Sequence, residues 1–563
     1  MTDGQVAATG LRQAGAGTPE LPPASGTGAP AFPRHGGVVA TAVPPVAGAE
    51  ASASARPPGV AASICPHHFG VVAPAFPSHF SALAALAGEL VRRGHRVTFL
   101  HRPDAAAYLG ASIADALKGA AGHAAGNGAN IQNTASPIVP GIAFYALGSR
   151  RFPPGSLAAA LRRAANPGSP LGLRKVILDM ADATDMLCEE LPAAIETLRI
   201  DALLGDQMEA AAGLVAEALQ LPFVSVACAL PVNREAAVPL PVMPFGYDAS
   251  ARGLQMVAGS TSVYDWIMTP HRRAIERQAR NLGISPRDAM HECLSPLVQI
   301  SQTIAGFDFP RRHLPEHFHH VGPLRAGPVT GAGVDVSVSA NPSADSNAAA
   351  NLGAGANAGV GGATGTRTGV HPAITPLPAF DPDRPLVFAS LGTLQGQRFG
   401  AFERIARACR ALNVQLLAAH CGGLDARQSK AIEQAGTPGD TTVCAYAPQQ
   451  AALARADAVV THAGLNTVMD AIATGTPMLA LPIAFDQPGV AARVCHAGIG
   501  RRASARITGA GALAAHLRAL LDDPSYRRRL APLSSELAHA GGAARAADIV
   551  EQALAGVSAG AAT

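Results

Sequence analysis

This sequence of 563 residues has little net charge and no long apolar run, and each shortage excludes a class of protein. The formal charge is +3 and Lys and Arg are scattered, so the chain has no basic stripe of the kind that binds nucleic acid. No stretch of about 18 uninterrupted apolar residues occurs, and we therefore predict no membrane-spanning helix.

Cysteine pairs and metal-ligand spacings are also missing. The eight cysteines are dispersed without a C-x-x-C pair, which is typical of reduced thiols in a cytosol. His67-His68 and His319-His320 are adjacent pairs, a poor geometry for chelation within one element, so we predict no metal site. The N-terminus has no charged region followed by a leucine-rich core, as a secretory signal would. We predict a cytoplasmic protein.

Two stretches poor in large apolar residues divide the chain. Residues 1–62 are rich in Ala, Gly, Pro, Ser and Thr and cannot repay the entropy of ordering, so we predict a disordered tail. Residues 326–378 have a similar composition and are predicted to be a low-complexity linker. A shorter segment, 119–137, is predicted to be a surface loop. The remaining segments, 63–325 and 379–563, are each long enough for one domain.

Short apolar runs alternate with helical patterns in both segments. Leu83, Leu86 and Leu90 share one face of a helix predicted over 80–91, which follows a loop ending at His79. The predicted strands are 68–73, 96–100, 142–145, 201–206, 223–228, 385–391, 414–418, 456–461 and 477–482. The further predicted helices are 171–198, 209–219, 402–412, 426–434, 510–522 and 524–555. This alternation predicts an α/β protein with parallel sheets.

One stretch, 446–487, has the local pattern of an anion site. Its apolar run at 456–461 ends at a turn, and a helix is predicted to begin near Asn466. The open N–H groups and positive dipole end of that helix would face the edge of the sheet, and Gly464 lets the backbone come close. A second strand then leads to Asp486 and Gln487. A phosphate and a sugar could both be held at this edge.

The same stretch resembles the donor-binding signature of family 1 nucleotide-sugar glycosyltransferases. The pattern is aromatic-x-Pro-Gln, His-x-Gly-x-Asn-Thr, an acid, Gly-x-Pro and Asp-Gln, all in order between Tyr446 and Gln487. Tyr446 stands where the commonest form has Trp, and Asp470 where it has Glu. The resemblance implies two Rossmann-like domains facing across a cleft (GT-B type), and inverting transfer without a metal or any cofactor besides the UDP-sugar co-substrate.

The resemblance also implies roles for the residues of the signature. Uracil would be held by Tyr446 and Gln449, the ribose by Asp470, and the sugar by Asp486 and Gln487. The diphosphate would be held by a larger set from two turns, namely Gly392, Thr393, His462, Gly464, Asn466 and Thr467.

His79 and Asp206 are the candidate catalytic pair. Both follow strands of the first segment, at the carboxyl edge where α/β sheets bind ligands. On spacing alone His79 could be solvated, and Asp206 could equally be a helix N-cap. Family members carry a catalytic His after their first strand and a partner acid, and His79 and Asp206 match these positions. The resemblance therefore implies that His79 takes the acceptor proton and Asp206 stabilises the resulting imidazolium.

Further blocks, such as 388–396 and 221–235, resemble bacterial carotenoid (zeaxanthin) glucosyltransferases. This implies transfer of glucose from UDP-glucose to a hydrophobic acceptor with a hydroxyl group. A lipid, a rhamnolipid precursor or a macrolide remains an alternative acceptor. The resemblance further implies a monomer that contacts the membrane peripherally without spanning it. The predicted acceptor walls, which could equally be core, are Phe76, Phe80, Met208, Met243 and Phe245.

Three other functions are compatible with parts of these patterns. A UDP-sugar 2-epimerase shares the two-domain fold but would not need His79 with Asp206. A non-catalytic UDP-sugar-binding protein would not need that pair either. A dinucleotide oxidoreductase is disfavoured because no G-x-G-x-x-G follows the strand at 68–73 or the strand at 385–391.

Overall fold

The computed structural model describes residues 66–109, 136–139, 142–325 and 377–561. The predicted tail, 1–62, lies outside these residues, as does the predicted linker except for its last two residues. The predicted loop at 119–137 also lies outside them, apart from 136 and 137, which belong to a strand.

The first sheet contains eight strands of the described residues, in the order β3-β4-β2-β1-β5-β6-β7-β8. All neighbours are parallel except β3 and β4, which form an antiparallel pair that the sequence analysis missed. The strands are β1 (His68–Val72), β2 (Arg96–His101), β3 (Ser136–Val139), β4 (Ile142–Ala146), β5 (Ala202–Asp206), β6 (Phe223–Ala227), β7 (Val298–Ser301) and β8 (Phe318–His320).

The second sheet is parallel throughout and has the order β11-β10-β9-β12-β13-β14. In chain order this is the doubly wound 3-2-1-4-5-6 arrangement, in which ligands bind where the strand order reverses. Its strands are β9 (Leu386–Ser390), β10 (Gln415–Ala419), β11 (Thr441–Cys444), β12 (Ala458–Thr461), β13 (Met478–Ala480) and β14 (Gly500–Arg502). The reversal lies between β9 and β12, and the corresponding reversal in the first sheet lies between β1 and β5.

Helices connect the strands because the connecting segments carry one apolar stripe each. The helices of the first part are α1 (Pro77–Arg92), α2 (Ser156–Ala165), α3 (Pro170–Leu198), α4 (Ala210–Ala218), α5 (Ala251–Ile267) and α6 (Thr269–Asn281). Those of the second part are α7 (Phe399–Leu412), α8 (Ala426–Ala435), α9 (Gln449–Arg455), α10 (Leu465–Ala473), α11 (Gln487–His496), α12 (Ala510–Asp522), α13 (Ser525–His539) and α14 (Gly542–Ala561).

Two predicted helix boundaries are wrong. Helix α1 begins at Pro77, three residues earlier than predicted, so His79 lies in its first turn instead of in a loop. Proline is tolerated there because the first N–H groups of a helix have no partner within it. The single helix predicted over 524–555 is two helices, separated at Gly541 and Gly542, whose φ values are +85° and +54°. Such left-handed conformations end a right-handed helix.

The last helix joins the two halves of the molecule. Ala546, Ala547 and Val550 of α14 are buried in the same apolar cluster as the first sheet. Arg93, at the end of α1, donates to Asp548 and Glu551 at 2.7 and 2.8 Å. The chain therefore crosses back from the second sheet to the first. No helix among the described residues is long and apolar enough to cross a membrane.

Candidate active site

The predicted pair His79 and Asp206 meets at the strand reversal of the first sheet. Asp206 is the last residue of β5, which lies beside β1, and His79 is in the turn of α1 that follows β1. The His79 Nδ1 lies 2.7 Å from the Asp206 Oδ2. The other oxygen, Oδ1, accepts from the N–H of Met208 at 2.8 Å. Helix α4 is capped by Glu209, so Asp206 is not the N-cap of that helix.

The surroundings of His79 favour its protonated form. Burial lowers the pKa of His79. The charges of Asp206 and Asp486 raise this pKa by more than burial lowers it, so the net pKa lies above 6.5. In the neutral ring, an Nδ1–H that donates to Asp206 leaves Nε2 as the free acceptor. This is the arrangement of a general base whose conjugate acid is stabilised by a carboxylate.

Cys228 completes a group of three that the sequence analysis missed. Its Sγ, the His79 nitrogen and the Asp206 oxygen lie within 4.8 Å of one another. Burial, with the charge of Asp206, raises the pKa of Cys228 well above its usual value, so the thiol stays protonated. The available signal was that Cys228 follows β6, the neighbour of β5.

Gly392 and His462 meet at the strand reversal of the second sheet. Gly392 follows β9 with a φ of +71°, and a Cβ there would lie 2.5 Å from the His462 Cε1. A Cβ on Gly464 would lie 2.5 Å from the His462 Nε2. The imidazole is thus held between two glycine turns. Thr393, the next residue after Gly392, is exposed.

His462 carries an unsatisfied polar atom. Its Nδ1 is buried and has no hydrogen-bond partner among the described residues. Burial lowers the pKa of His462 to about 4, so the ring is neutral near pH 7. A buried polar atom without a partner costs free energy, which a bound ligand could recover.

The start of helix α10 is open, as predicted. Its N-cap is Gly464, and no side chain caps it. Ala463, just before it, has a φ of 65°, which turns the chain sharply into the helix. The first N–H groups of α10 therefore point out of the strand edge beside His462. Asn466 is half-buried in this first turn.

Gln449, Thr467 and Asp470 form one hydrogen-bonded group. The Gln449 Nε2 donates to the Asp470 Oδ2 at 2.7 Å, and the Thr467 hydroxyl donates to the Gln449 Oε1 at 3.4 Å. Arg325 donates to the Asp470 Oδ1 at 2.8 Å, a contact that the sequence analysis missed. Asp470 is buried, so its carboxylate orders this group.

Tyr446 lies beyond this group, at the end of β11. Its side chain is buried, and its hydroxyl donates to the carbonyl of Cys421 at 3.2 Å. Burial raises the pKa of Tyr446 to about 12, so the hydroxyl remains a donor. The ring is thereby fixed against the turn that follows β10.

Asp486 connects the second sheet to the catalytic pair. Its Oδ2 accepts from the N–H of Leu230, in the first half of the molecule, at 3.3 Å. Burial raises the pKa of Asp486, and its charge acts on His79. The neighbouring Gln487 is buried, and its Oε1 accepts from the N–H groups of Ile483 and Ala484 at 2.9 and 2.8 Å.

Four of the five side chains predicted to line the acceptor site are partly accessible, and the prediction for the fifth, Phe80, is wrong. The Phe76 ring lies 5.7 Å from His79 and 5.5 Å from Phe485, measured between ring centroids. Phe80 is only 1% exposed and packs against other rings of the core, so it does not face the cleft. The half-buried members are Phe76, Met208, Met243 and Phe245.

Comparisons with known proteins show the family to which this chain belongs. Residues 384–540 match the protein family described as UDP-glucoronosyl and UDP-glucosyl transferase. A zeaxanthin glucosyltransferase of Pantoea ananas is 42% identical over 84% of this chain and 93% of its own length. The chain belongs to the UDP-glucoronosyl and UDP-glucosyl transferase family. A second zeaxanthin glucosyltransferase, from Pseudescherichia vulneris, is 40% identical to this UDP-glycosyltransferase over 84% of the chain and 95% of its own length.

Solved structures show the same fold. The crystal structure of the glycotransferase of kitacinnamycin covers 87% of this UDP-glycosyltransferase and 99% of its own chain, with a TM-score of 0.57 and 21% identity. At this identity the likeness speaks for the fold alone. Each sheet therefore forms the centre of one of the two Rossmann-like domains of a GT-B glycosyltransferase, as predicted.

Proposed function

We propose that this protein transfers glucose from UDP-glucose to a hydroxyl group of a carotenoid of the zeaxanthin type. The observation that carries the proposal is the identity of 42% and 40%, over 84% of the chain, to two zeaxanthin glucosyltransferases. The His79–Asp206 pair and the open turn at His462 support it, because a transferase needs a base on the acceptor side and a clamp on the donor side.

In this proposal His79 is the general base. Its Nε2 takes the proton of the acceptor hydroxyl while the hydroxyl oxygen attacks the anomeric carbon of the sugar. The bond between that carbon and the UDP oxygen breaks on the opposite face, which inverts the configuration. The 2.7 Å hydrogen bond to Asp206 supports this role, since a carboxylate at Nδ1 stabilises the imidazolium that forms.

The diphosphate leaves from the turn between β12 and α10. The open N–H groups of the helix and the side chains of His462, Asn466 and Thr467 supply donors, and Gly392 and Thr393 approach from the parallel turn. Fixed donors in a water-excluded site are worth about 3–4 kcal/mol each toward a developing negative charge. Such donors would take the part that a divalent cation plays in metal-dependent transferases.

The nucleoside and the sugar lie on either side of the diphosphate. Tyr446 and Gln449 hold the uracil, and Asp470 holds the ribose hydroxyls, in exchange for part of its contact with Gln449. Asp486 and Gln487 hold the glucose hydroxyls. The charge that Asp486 exerts on His79 supports a position of the sugar close to the base.

The acceptor enters between the walls formed by Phe76, Met208, Met243 and Phe245. Phe76, whose ring centroid lies 5.7 Å from that of His79, and Met208, whose N–H donates to Asp206, suit a long hydrocarbon that ends in a hydroxylated ring. We propose a cytoplasmic monomer that reaches this acceptor from the membrane surface.

A direct assay tests the proposal. The purified protein is incubated with UDP-glucose and zeaxanthin in detergent with EDTA present, and products are identified by mass. Mono- and diglucosides are expected. If none forms but UDP-glucose raises the melting temperature, the donor site stands, the carotenoid assignment falls and other hydroxylated acceptors are screened. Return of a mixture of sugar epimers would instead indicate an epimerase.

A further inference from the structure

Helix α5 presents a row of apolar side chains to solvent. Only Gly253 and Val257 of its seventeen residues are buried. Met256, Val263 and Trp266 are 39%, 55% and 76% exposed. Their spacings of seven and three place them on one face of the helix. These three residues are called the α5 face.

The exposed charges near the α5 face are those of Arg252 and Arg273, with Asp248 close to Arg252. Asp265, the acidic residue of the helix, is paired with Arg234 at 2.6 and 3.0 Å. Arg252 and Arg273 are exposed and form no ion pair with any residue that the structure describes. An apolar row with an exposed tryptophan and unpaired arginines suits the interface of an anionic bilayer, where indole rings settle and basic side chains are attracted.

The α5 face is also connected through the chain to the active site. Arg234, which holds Asp265, belongs to the segment that joins β6 to α5. Four residues earlier in that segment, the N–H of Leu230 donates to Asp486 at 3.3 Å, and the charge of Asp486 acts on His79. The exposed helix and the reacting centre are therefore two ends of one connected segment.

We propose that the α5 face docks on the surface of an anionic lipid bilayer. The proposal rests on the proposed function, because a carotenoid dissolved in the membrane must pass from the bilayer to His79. The helix lies in the interface with its apolar row among the upper acyl chains, and Arg252 and Arg273 contact the headgroups. The segment that joins β6 to α5, which carries the proposed acceptor walls Met243 and Phe245, then lies at the membrane surface.

The chain offers its own reporter for this contact. Trp266 is the single tryptophan of the sequence, so all tryptophan fluorescence comes from the α5 face. Vesicles of phosphatidylglycerol and phosphatidylethanolamine, without any acceptor, are added to the full-length protein. The emission is expected to shift to shorter wavelength, to be quenched by brominated lipids, and to be accompanied by co-sedimentation. Unchanged emission without sedimentation overturns the proposal, as does a shift that depends only on protein concentration and reflects self-association.

Matched variants locate the contact. Met256→Ser with Val263→Ser keeps the reporter but removes two apolar side chains, and should weaken vesicle binding about tenfold or more. Ile507→Ser changes a residue that is 87% exposed on the other domain, and should leave binding unchanged. Equal binding by the double variant and the unmodified protein contradicts the proposal.

The two proposals fail separately. Vesicle binding is measured without acceptor, so it stands or falls independently of the carotenoid assignment. If zeaxanthin is the acceptor, the double variant should glucosylate it normally in detergent but more slowly when it is embedded in vesicles. An equal loss in both conditions would assign these residues to folding or catalysis and overturn the docking role.

Discussion

The imidazole of His79 lies near two carboxylates in unlike surroundings. Asp206 is buried, shares a hydrogen bond with the ring and accepts a backbone N–H on its other oxygen. Asp486 acts on the ring only through its charge, and burial raises its own pKa. The first carboxylate is therefore placed to stabilise the charged ring, and in the proposed function the second lies on the side of the donor sugar.

His79→Ala should abolish transfer and leave the affinity for UDP-glucose nearly unchanged, because the base contacts the acceptor. Transfer is measured by product mass and affinity by isothermal titration calorimetry. Loss of donor binding in this variant would contradict the assignment.

His462→Ala should give the reverse pattern. The side chain between Gly392 and Gly464 is removed, so UDP affinity should fall by roughly tenfold, the cost of one lost hydrogen bond in a buried site. Calorimetry with UDP alone checks this. An unaltered affinity would remove His462 from the diphosphate site.

Asp206→Asn should change both the rate and its pH dependence. In the unmodified protein kcat/KM should fall as pH falls through the pKa of His79, which lies above 6.5, since only the neutral ring accepts a proton. Without the Asp206 charge, burial lowers that pKa, so the acidic limb should move to lower pH while the plateau drops by about 10²–10⁴-fold. A limb that stays in place in the pH–rate profile would show that another group controls it.

Among the elements, the turns after β9 and β12 depend most on glycine. Position 392 requires glycine for two reasons. Its φ is positive, and a Cβ there would lie too close to the His462 ring. The turn after β12 leads directly into the uncapped start of α10. Together they leave backbone N–H groups and one neutral imidazole at the strand reversal, with no side chain between them.

Gly392→Ala should weaken UDP binding by roughly tenfold or more, because the added Cβ would lie 2.5 Å from the His462 Cε1 and must displace the ring. Gly439→Ala is the matched control, since it has a φ of +83° but nothing within 4 Å of the added Cβ. Both variants should lose some stability in urea denaturation, and only the first should lose affinity. Equal affinities would show that the contact with His462 is unimportant.

The molecule as a whole is held together by contacts that cross between its two domains. Arg493 of α11 is fully buried, donates to Asp308 at 2.6 Å and stacks 4.2 Å from the Phe309 ring. The N–H of Gly489 donates to the carbonyl of Pro241 at 3.0 Å. Both contacts lie in the helix that follows Asp486, so they hold this helix against the first domain.

Asp308→Asn should destabilise the protein by about 3–5 kcal/mol, since it leaves the buried Arg493 without its countercharge. Burial alone would raise the pKa of Asp308, but Arg493 and Arg311 lower it to about 2. Its stabilisation is therefore complete above the ordinary carboxyl pKa of 3.8, and is lost as pH falls from there through about 2. Urea denaturation as a function of pH measures both effects.

The partly exposed pair Arg384–Asp440 provides the control for this measurement. Asp440→Asn should shift the urea midpoint far less, because solvent screens the pair. Equal shifts in the two variants would argue that the domain contact contributes no more than a surface ion pair.

The sequence predicts an alternation of strands and helices in both domains, and it identifies the residues that follow β1, β5, β9 and β12. These features depend on short-range patterns, such as the apolar run before His462 and the glycine after it. His79, Asp206 and the 446–487 signature could be chosen for the same reason, since the carboxyl ends of parallel strands share one edge. The carotenoid acceptor was implied by resemblance and not by any local pattern.

Which side chains meet depends on the tertiary structure. Cys228 joins His79 and Asp206 because β6 lies beside β5, and Phe76 lies against His79 and Phe485 while Phe80, four residues later, is buried. Arg325 reaches Asp470, and the backbone of Leu230 reaches Asp486, across more than a hundred residues. Such contacts depend on strand order and domain packing, which arise from burial summed over the whole chain. The spacing of neighbouring residues therefore does not predict them.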